Sequence, residues 1–196
     1  MKKVFSILDE EPVLSNTGTI NPDMENTKVI EFDKVNFSYG REQVLHDVSF
    51  SISKGEKIAI VGETGAGKST IAKLMLRFYL PNDGDVNFYG ESSKEVTQKW
   101  ARKNIAYVPQ ESFLFRGSIK NNLIYSNPED IDLEKELLEI GVLDWFKRYE
   151  NGLDQEVGER GGNVSAGERQ FIALLRAVLA KREIIVFDEA TANLDI

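Results

Sequence analysis

Gly62-Glu63-Thr64-Gly65-Ala66-Gly67-Lys68-Ser69 decides how this chain is read. The octet fits the pattern G-x-x-x-x-G-K-[ST], and its surroundings are those the pattern needs. Before it, Ile58 to Val61 is a compact apolar run of the kind shown by a strand buried on both faces. After it, Ile71, Leu74, Met75 and Phe78 recur at i, i+3, i+4 and i+7, which predicts a helix with one face on a core. The glycines let the backbone curl so that successive N–H groups point at an anion, and the helix adds its positive end. Lys68 is a mobile point charge suited to β- and γ-phosphates. Ser69 offers a hydroxyl small enough to ligate a Mg²⁺ ion bridging them. Gly62, Glu63, Thr64, Gly65, Ala66, Gly67, Lys68, Ser69 and Thr70 together form the expected phosphate cradle. From Lys54 to Arg77 there are five basic residues against two acidic ones, a locally positive patch. The competing reading is a glycine-rich turn with an accidental lysine, which would need neither the strand nor the helix.

A phosphate cradle of this type needs an acidic element on a second strand. Ile184 to Phe187 runs apolar and then meets Asp188-Glu189. An acid at the carboxyl end of a buried parallel strand lies where such sheets bind ligands. Asp188 is therefore placed to hold Mg²⁺, and Glu189, one residue off the strand, to orient or activate a water against the γ-phosphate. Taken alone, Glu189 reads as an exposed loop acid; the strand before it is what alters the reading.

Composition narrows the rest. The chain has 196 residues, 41% of them hydrophobic and 29% charged, which suits one globular domain with an elaboration. It has no cysteine and one histidine, His46, which excludes disulfides, thiolate metal sites, thiol catalysis and multi-histidine metal centres. Lys plus Arg is 24 and Asp plus Glu is 32, so the net charge is −8, a poor match to a general nucleic-acid binder. The longest apolar stretch, Phe171 to Ala180, is about half a membrane span and carries Arg176. The start, Met1-Lys2-Lys3 followed by Val4 to Leu8, is too short for a secretory leader before Asp9-Glu10-Glu11.

The order of elements is also legible. Residues 1–27 read as a short helix end and a linker broken by Pro12, Gly18 and Pro22. Val29 to Phe37 and Val48 to Ile52 read as an antiparallel pair, with an apolar phase shift between Phe32 and Val35 that suggests a bulge. Between Glu129 and Glu139, six acids and one lysine surround Leu133, Leu137 and Ile140 at helical spacing. Val142, Trp145, Phe146 and Tyr149 repeat that spacing, so a helical insert lies between strands. The acidic run itself reads as a solvated helix face. Ser165 followed by Glu168 predicts a capping box opening a helix to about Ala180.

Asn163-Val164-Ser165-Ala166-Gly167-Glu168-Arg169-Gln170 resembles the signature motif of the ATP-binding cassette family, and it lies one helix upstream of the second acidic strand as that family requires. The resemblance runs from Lys28 to Asp195. It implies an α/β fold with a P-loop NTPase core, a mainly parallel sheet, an N-terminal antiparallel β subdomain and a helical insert subdomain. Residues 1–27 would then be a linker from an upstream membrane domain, 28–110 and 165–196 the core, and about 111–164 the helical subdomain. The resemblance assigns Tyr39 to adenine stacking and Gln110 to sensing Mg²⁺ and the γ-phosphate. Ser165, Gly167 and Glu168 would contact ATP in trans, and Ala192-Asn193-Leu194-Asp195 would be the loop linking two ATP sites. Tyr39 read without the resemblance is a strand-end core aromatic. Lys68, Gln110 and Glu189 are the expected catalytic residues; Ser69, Gln110 and Asp188 the expected metal ligands; ATP and Mg²⁺ the expected cofactors.

Within the family, Val157-Gly158-Glu159-Arg160-Gly161 and Phe113 to Ile119 resemble exporter-type segments, and Val4 to Glu11 resembles the tail leaving an exporter's last membrane helix. The implied partners are a second nucleotide-binding domain and an exporter's transmembrane domain, at the cytoplasmic face of the cell membrane, with no nucleic acid. Two departures stand out. Ala166 replaces the usual glycine, and Glu168 replaces glutamine, which is expected to weaken a triphosphate site unless its carboxylate turns to the backbone. The family's switch histidine follows the Ala192–Asp195 segment, and His46 lies elsewhere; the chain is therefore expected to be C-terminally incomplete and weakly active. The alternatives are a dimerisation module with negligible hydrolysis and a soluble cassette ATPase unconnected to a membrane.

Overall fold

The computed structural model describes residues 18–125 and 131–188, which fall into two compact units divided between Lys103 and Asn104. The expected helix end before Pro12, the catalytic candidate Glu189 and the Ala192–Asp195 segment lie outside the described residues.

The first unit is built on an antiparallel sheet in the order β2-β1-β3-β4, from β1 (Lys28–Tyr39), β2 (Glu42–Ser53), β3 (Asp83–Phe88) and β4 (Glu91–Ser92). The β1–β2 register shifts between Phe32 and Val35, where the apolar phase changes in the sequence. An extra residue at that point keeps Phe32 and Val35 both inside, at 2% and 0% exposure. Phe32 stacks on Phe50 of the neighbouring strand at 4.6 Å, a cross-strand pair of the kind that fixes register.

Ile58 to Val61 forms no strand here. It has no ladder partner among the described residues, and Val61 is 87% exposed. A strand exists only through bonds to a neighbour, so apolar composition alone does not make one. The helix after it, α1 (Lys68–Met75), is shorter than its periodicity suggested. Arg77 turns into the left-handed region at φ 54° and its Nε donates to Ser93 O at 2.6 Å. That ends the helix before Phe78, which is exposed instead of facing the core. The helix α2 (Gln98–Asn104) closes this part, with Trp100 packed near Phe88.

The second unit contains β5 (Ile105–Val108) and β8 (Ile184–Phe187), paired in parallel from Ile105 with Ile184 to Val108 with Phe187. They are the parallel pair among the described residues. Between them come β6 (Gly117–Ser118), α3 (Ile119–Ile124), α4 (Leu133–Ile140), a 3₁₀ segment Leu143–Arg148, β7 (Glu156–Val157) and α5 (Ala166–Leu179). The insert is helical, as expected, though Leu143–Arg148 winds as 3₁₀. One apolar cluster joins Leu114, Ile119, Leu123, Leu137 and Phe146 to Ile172, Leu175 and Leu179 of α5. Asp132 caps α4 by accepting from Lys135 N at 3.2 Å, and the acids fall on its solvated side.

Two adjacent leucines of α4 calibrate this core. Leu137 is fully buried and Leu138 is 66% exposed. Leu137→Ala should cost about 2–5 kcal/mol in urea unfolding, and Leu138→Ala less than about 0.5 kcal/mol. Equal effects would mean that the α4 face is wrongly assigned.

Candidate nucleotide site

The first unit carries the phosphate cradle. Gly65 and Gly67 both adopt left-handed conformations, at φ 87° and 88°. A Cβ on Gly67 would lie 2.6 Å from the Leu45 side chain, so both the conformation and the space demand glycine there. Gly67 is also the N-cap of α1, and no side chain caps that helix start. A helix start without a side-chain cap is the kind that can turn first-turn N–H groups toward an anion. Nothing lies within 4 Å of where a Gly65 side chain would begin, so the cradle opens to solvent. Lys68 Nζ donates to the Gly62 and Glu63 carbonyls, each at 2.8 Å, which holds the ammonium across the mouth of the loop. Ser69 is exposed, whereas Thr70 is 6% exposed, inside the first turn of α1.

Tyr39 ends β1 in the same unit. Its ring packs edge-on against Phe37 at 4.8 Å and Tyr79 at 5.3 Å, with Lys73 Nζ 5.5 Å from its centroid. Its hydroxyl is buried and makes no hydrogen bond among the described residues. The strand-end aromatic role left open by the sequence is therefore realised. His46 is exposed on β2, as a surface strand histidine should be.

The second unit holds the other candidates. Parallel pairing brings the carboxyl ends of β5 and β8 together, so Gln110 and Asp188 lie just past neighbouring strand ends. Asp188 N donates to Val108 O at 3.0 Å, and Asp188 Oδ2 accepts from the Tyr107 hydroxyl at 3.1 Å. Burial first, then the Asp188 charge and hydrogen bond, raise the Tyr107 hydroxyl to about 12, so it stays a proton donor to the carboxylate. Sequence reading missed Tyr107. Only the register of two distant strands reveals it.

The signature segment is a fully formed capping box. Glu168 N donates to Ser165 Oγ at 3.2 Å, and Ser165 N donates to Glu168 Oε2 at 2.7 Å. The glutamate therefore turns to the backbone. Burial alone would raise its carboxyl, but the Ser165 bonds, the neighbouring Tyr149 hydroxyl and the Arg148 charge outweigh it and hold the group below its ordinary value. Tyr149 lies beside this carboxylate with its hydroxyl buried and outside hydrogen-bonding geometry. Gly167 is half-buried, and Ala166 presents its methyl to solvent.

Two further residues of the signature stretch, to which the sequence reading gave no individual role, brace this turn. Asn163 donates to Glu156 O and accepts from Gly158 N, each at 2.8 Å. Arg169 donates to Val164 O at 2.7 Å and Gly161 O at 3.2 Å. They tie the Val157–Gly161 segment to the start of α5.

No cluster of metal-ligating residues forms among the described residues, and no described helix is long and apolar enough to cross a membrane. The side chains of Ser69, Gln110 and Asp188, the metal ligands expected from the sequence, each offer oxygen, the donor type that Mg²⁺ prefers.

Comparison with known proteins gives one consistent answer. The profile described as ABC transporter matches residues 45–192. A probable ABC transporter ATP-binding/permease protein of Haemophilus influenzae is 38% identical over 198 residues, covering 99% of this chain and 35% of that protein. The human mitochondrial protein named iron-sulfur clusters transporter ABCB7 is 37% identical over 205 residues, covering 100% of this chain and 27% of that protein. A solved structure described as a bacterial Atm1-family ABC exporter with ATP bound superimposes with a TM-score of 0.90 at 36% identity, over 99% of this chain and 34% of that one. The chain thus spans roughly a quarter to a third of these relatives' length. Its fold is that of an ABC nucleotide-binding domain, a P-loop NTPase type with an antiparallel N-terminal β subdomain. With its uncapped glycine cradle and its capped signature turn, the chain belongs to the ABC transporter family.

Proposed function

We propose that this chain is the part of an ABC exporter that binds and hydrolyses Mg·ATP, closing head to tail on a second such domain. The observation that carries the reading is the pair of helix starts: Gly67 uncapped over an open cradle, and Ser165 capped with Glu168 folded back. In this reading the Gly62–Thr70 backbone and Lys68 hold the triphosphate, and Tyr39 stacks on the base. Ser165, Gly167 and Glu168 of one domain close over phosphates held by the other. Ser69, Gln110 and Asp188 would supply the oxygen ligands for Mg²⁺, which when bound would neutralise charge on the phosphates. Glu189 accepts the proton of the attacking water, and Tyr107 keeps the Asp188 carboxylate oriented. The remaining catalysis is positioning and charge stabilisation.

Residues 28–110 and 165–196 would act as the core, and about 111–164 as the helical subdomain. The membrane partner would be the transmembrane domain of an exporter, which puts the domain on the cytoplasmic face, away from nucleic acid. That reading rests on the exporter relatives. The exposed run Ile58–Val61, without a ladder partner among the described residues, leads directly into the cradle. An approach without ladder bonds leaves the loop poorly preorganised, so this chain by itself should bind ATP weakly and turn it over slowly.

Three substitutions test the reading. Lys68→Ala should lower the affinity for a fluorescent ATP analogue at least about tenfold, the cost of a charge-assisted contact, without changing the melting temperature. Retained affinity would remove the cradle from the site. Glu189→Gln should slow ATP turnover by about 10²–10⁴-fold while an ATP-dependent dimer accumulates. Unchanged turnover would favour the second reading, a dimerisation module with negligible hydrolysis. Glu168→Gln keeps the cap, and its carboxylate is already turned to the Ser165 N–H. ATP-dependent dimerisation should therefore tighten less than about threefold. A gain beyond about tenfold would show that the carboxylate faces the triphosphate.

A further inference from the structure

Arg176 lies on α5 among inward-facing apolar neighbours, Ile172, Leu175 and Leu179, all buried. It is itself half-buried, and burial lowers the affinity of its guanidinium for its proton. Among the described residues no carboxylate pairs with it. Instead its Nε donates to Asn122 O at 2.8 Å, its Nη2 to Asn122 Oδ1 at 2.8 Å and its Nη1 to Phe113 O at 3.1 Å. Its Cζ lies 5.6 Å from the centroid of the Phe115 ring.

Asn122 is 1% exposed and has no hydrogen-bonding capacity left over. Its Oδ1 also accepts from Phe115 N at 2.8 Å, and its Nδ2 donates to Phe115 O at 2.9 Å and Ser118 O at 3.1 Å. The two side chains thus form one polar knot inside an apolar cluster. Desolvating a cation costs free energy that a leucine or methionine in the same space would not incur. Packing therefore does not account for Arg176. What the guanidinium does that an apolar residue would not is grip the backbone of the loop Phe113–Ser118, which starts just after Gln110.

We propose that Arg176 is a positioning residue: with Asn122 it locks the Phe113–Ser118 loop to the helix opened by the signature turn, so that both shift as one body when nucleotide binds. This rests on the reading above of Gln110 and Ser165–Glu168 as nucleotide-contacting elements. The fork of the guanidinium is essential to the device, because it reaches Asn122 and Phe113 together. A lysine keeps the charge and makes one such contact at a time.

Native-state hydrogen exchange on the whole chain, with and without Mg²⁺ and a non-hydrolysable ATP analogue, tests this. The Phe115 N–H reports the knot, the Ile172–Leu175 amides report α5, and the Gly65–Ser69 amides report the cradle. In the unaltered chain, nucleotide should slow Phe115 and α5 exchange by the same factor, within about twofold. In Arg176→Lys, Phe115 should exchange about tenfold faster, the loss expected for a hydrogen bond from a charged donor. The α5 amides and the analogue's affinity should stay within about twofold, and nucleotide should no longer protect Phe115. Independent responses of Phe115 and α5 in the unaltered chain would overturn the proposal even if the lysine variant did not fold. Equal loss of protection in both segments of the variant would reduce Arg176 to a purely structural residue and overturn it as well. If the cradle amides gain no protection from the analogue, the nucleotide reading itself fails, and the proposal with it.

Discussion

A helix leaves its first backbone N–H groups without partners inside the helix, and much of this structure is organised by what meets them. At Gly67 no side-chain cap is made among the described residues. The left-handed glycine turns the backbone into α1 without a side chain, and Leu45 fills the space a side chain would need. At Ser165 the opposite solution appears. The serine hydroxyl and the Glu168 carboxylate take up donors reciprocally, and Arg169 and Asn163 fasten the preceding loop to the same turn. The first start has no side-chain cap, and the second is closed by a reciprocal one.

Charge is treated with the same economy. The chain is a net anion, and anions near a triphosphate are a liability. Glu168 spends its negative charge on the Ser165 N–H rather than on the space in front of the helix. Asp188 sits half-buried at a strand end and accepts from Tyr107, whose raised proton affinity makes it a dependable donor. Arg176 is the inverse case: a cation without a carboxylate among the described residues, satisfied by backbone and amide oxygens, and by that means attached to a loop.

Much of this was legible along the chain, for reasons that differ by element. β1 and β2 announced themselves by alternation, and the phase slip between Phe32 and Val35 marked the bulge. The capping box was visible because its two members are three residues apart and bond within one turn. Ile58 to Val61 misled, because an apolar run names a preference for burial and a ladder needs a neighbour. Phe78 misled for a local reason: periodicity carried on past Arg77, whose left-handed backbone had already ended the helix. Tyr107 and the Arg176–Asn122 knot could not be read at all. Each joins positions 81 and 54 residues apart, and no spacing rule links them.

The sequence by itself determined the family, the cradle, the cap and the identity of the acidic strand, because each is written in short-range residue spacing. Local geometry follows from such spacing, since turns, caps and strand alternation are satisfied within a few residues. Tertiary structure alone decided which charges are spent and which remain available. It turned Glu168 inward, gave Asp188 a phenol as its partner, set Tyr39 into an aromatic cluster and bound the loop after Gln110 to the signature helix through Arg176. The physical reason is that the state of a charge depends on what lies within a few ångströms of it in space, and parallel strands and packed helices bring those neighbours from far away in the chain.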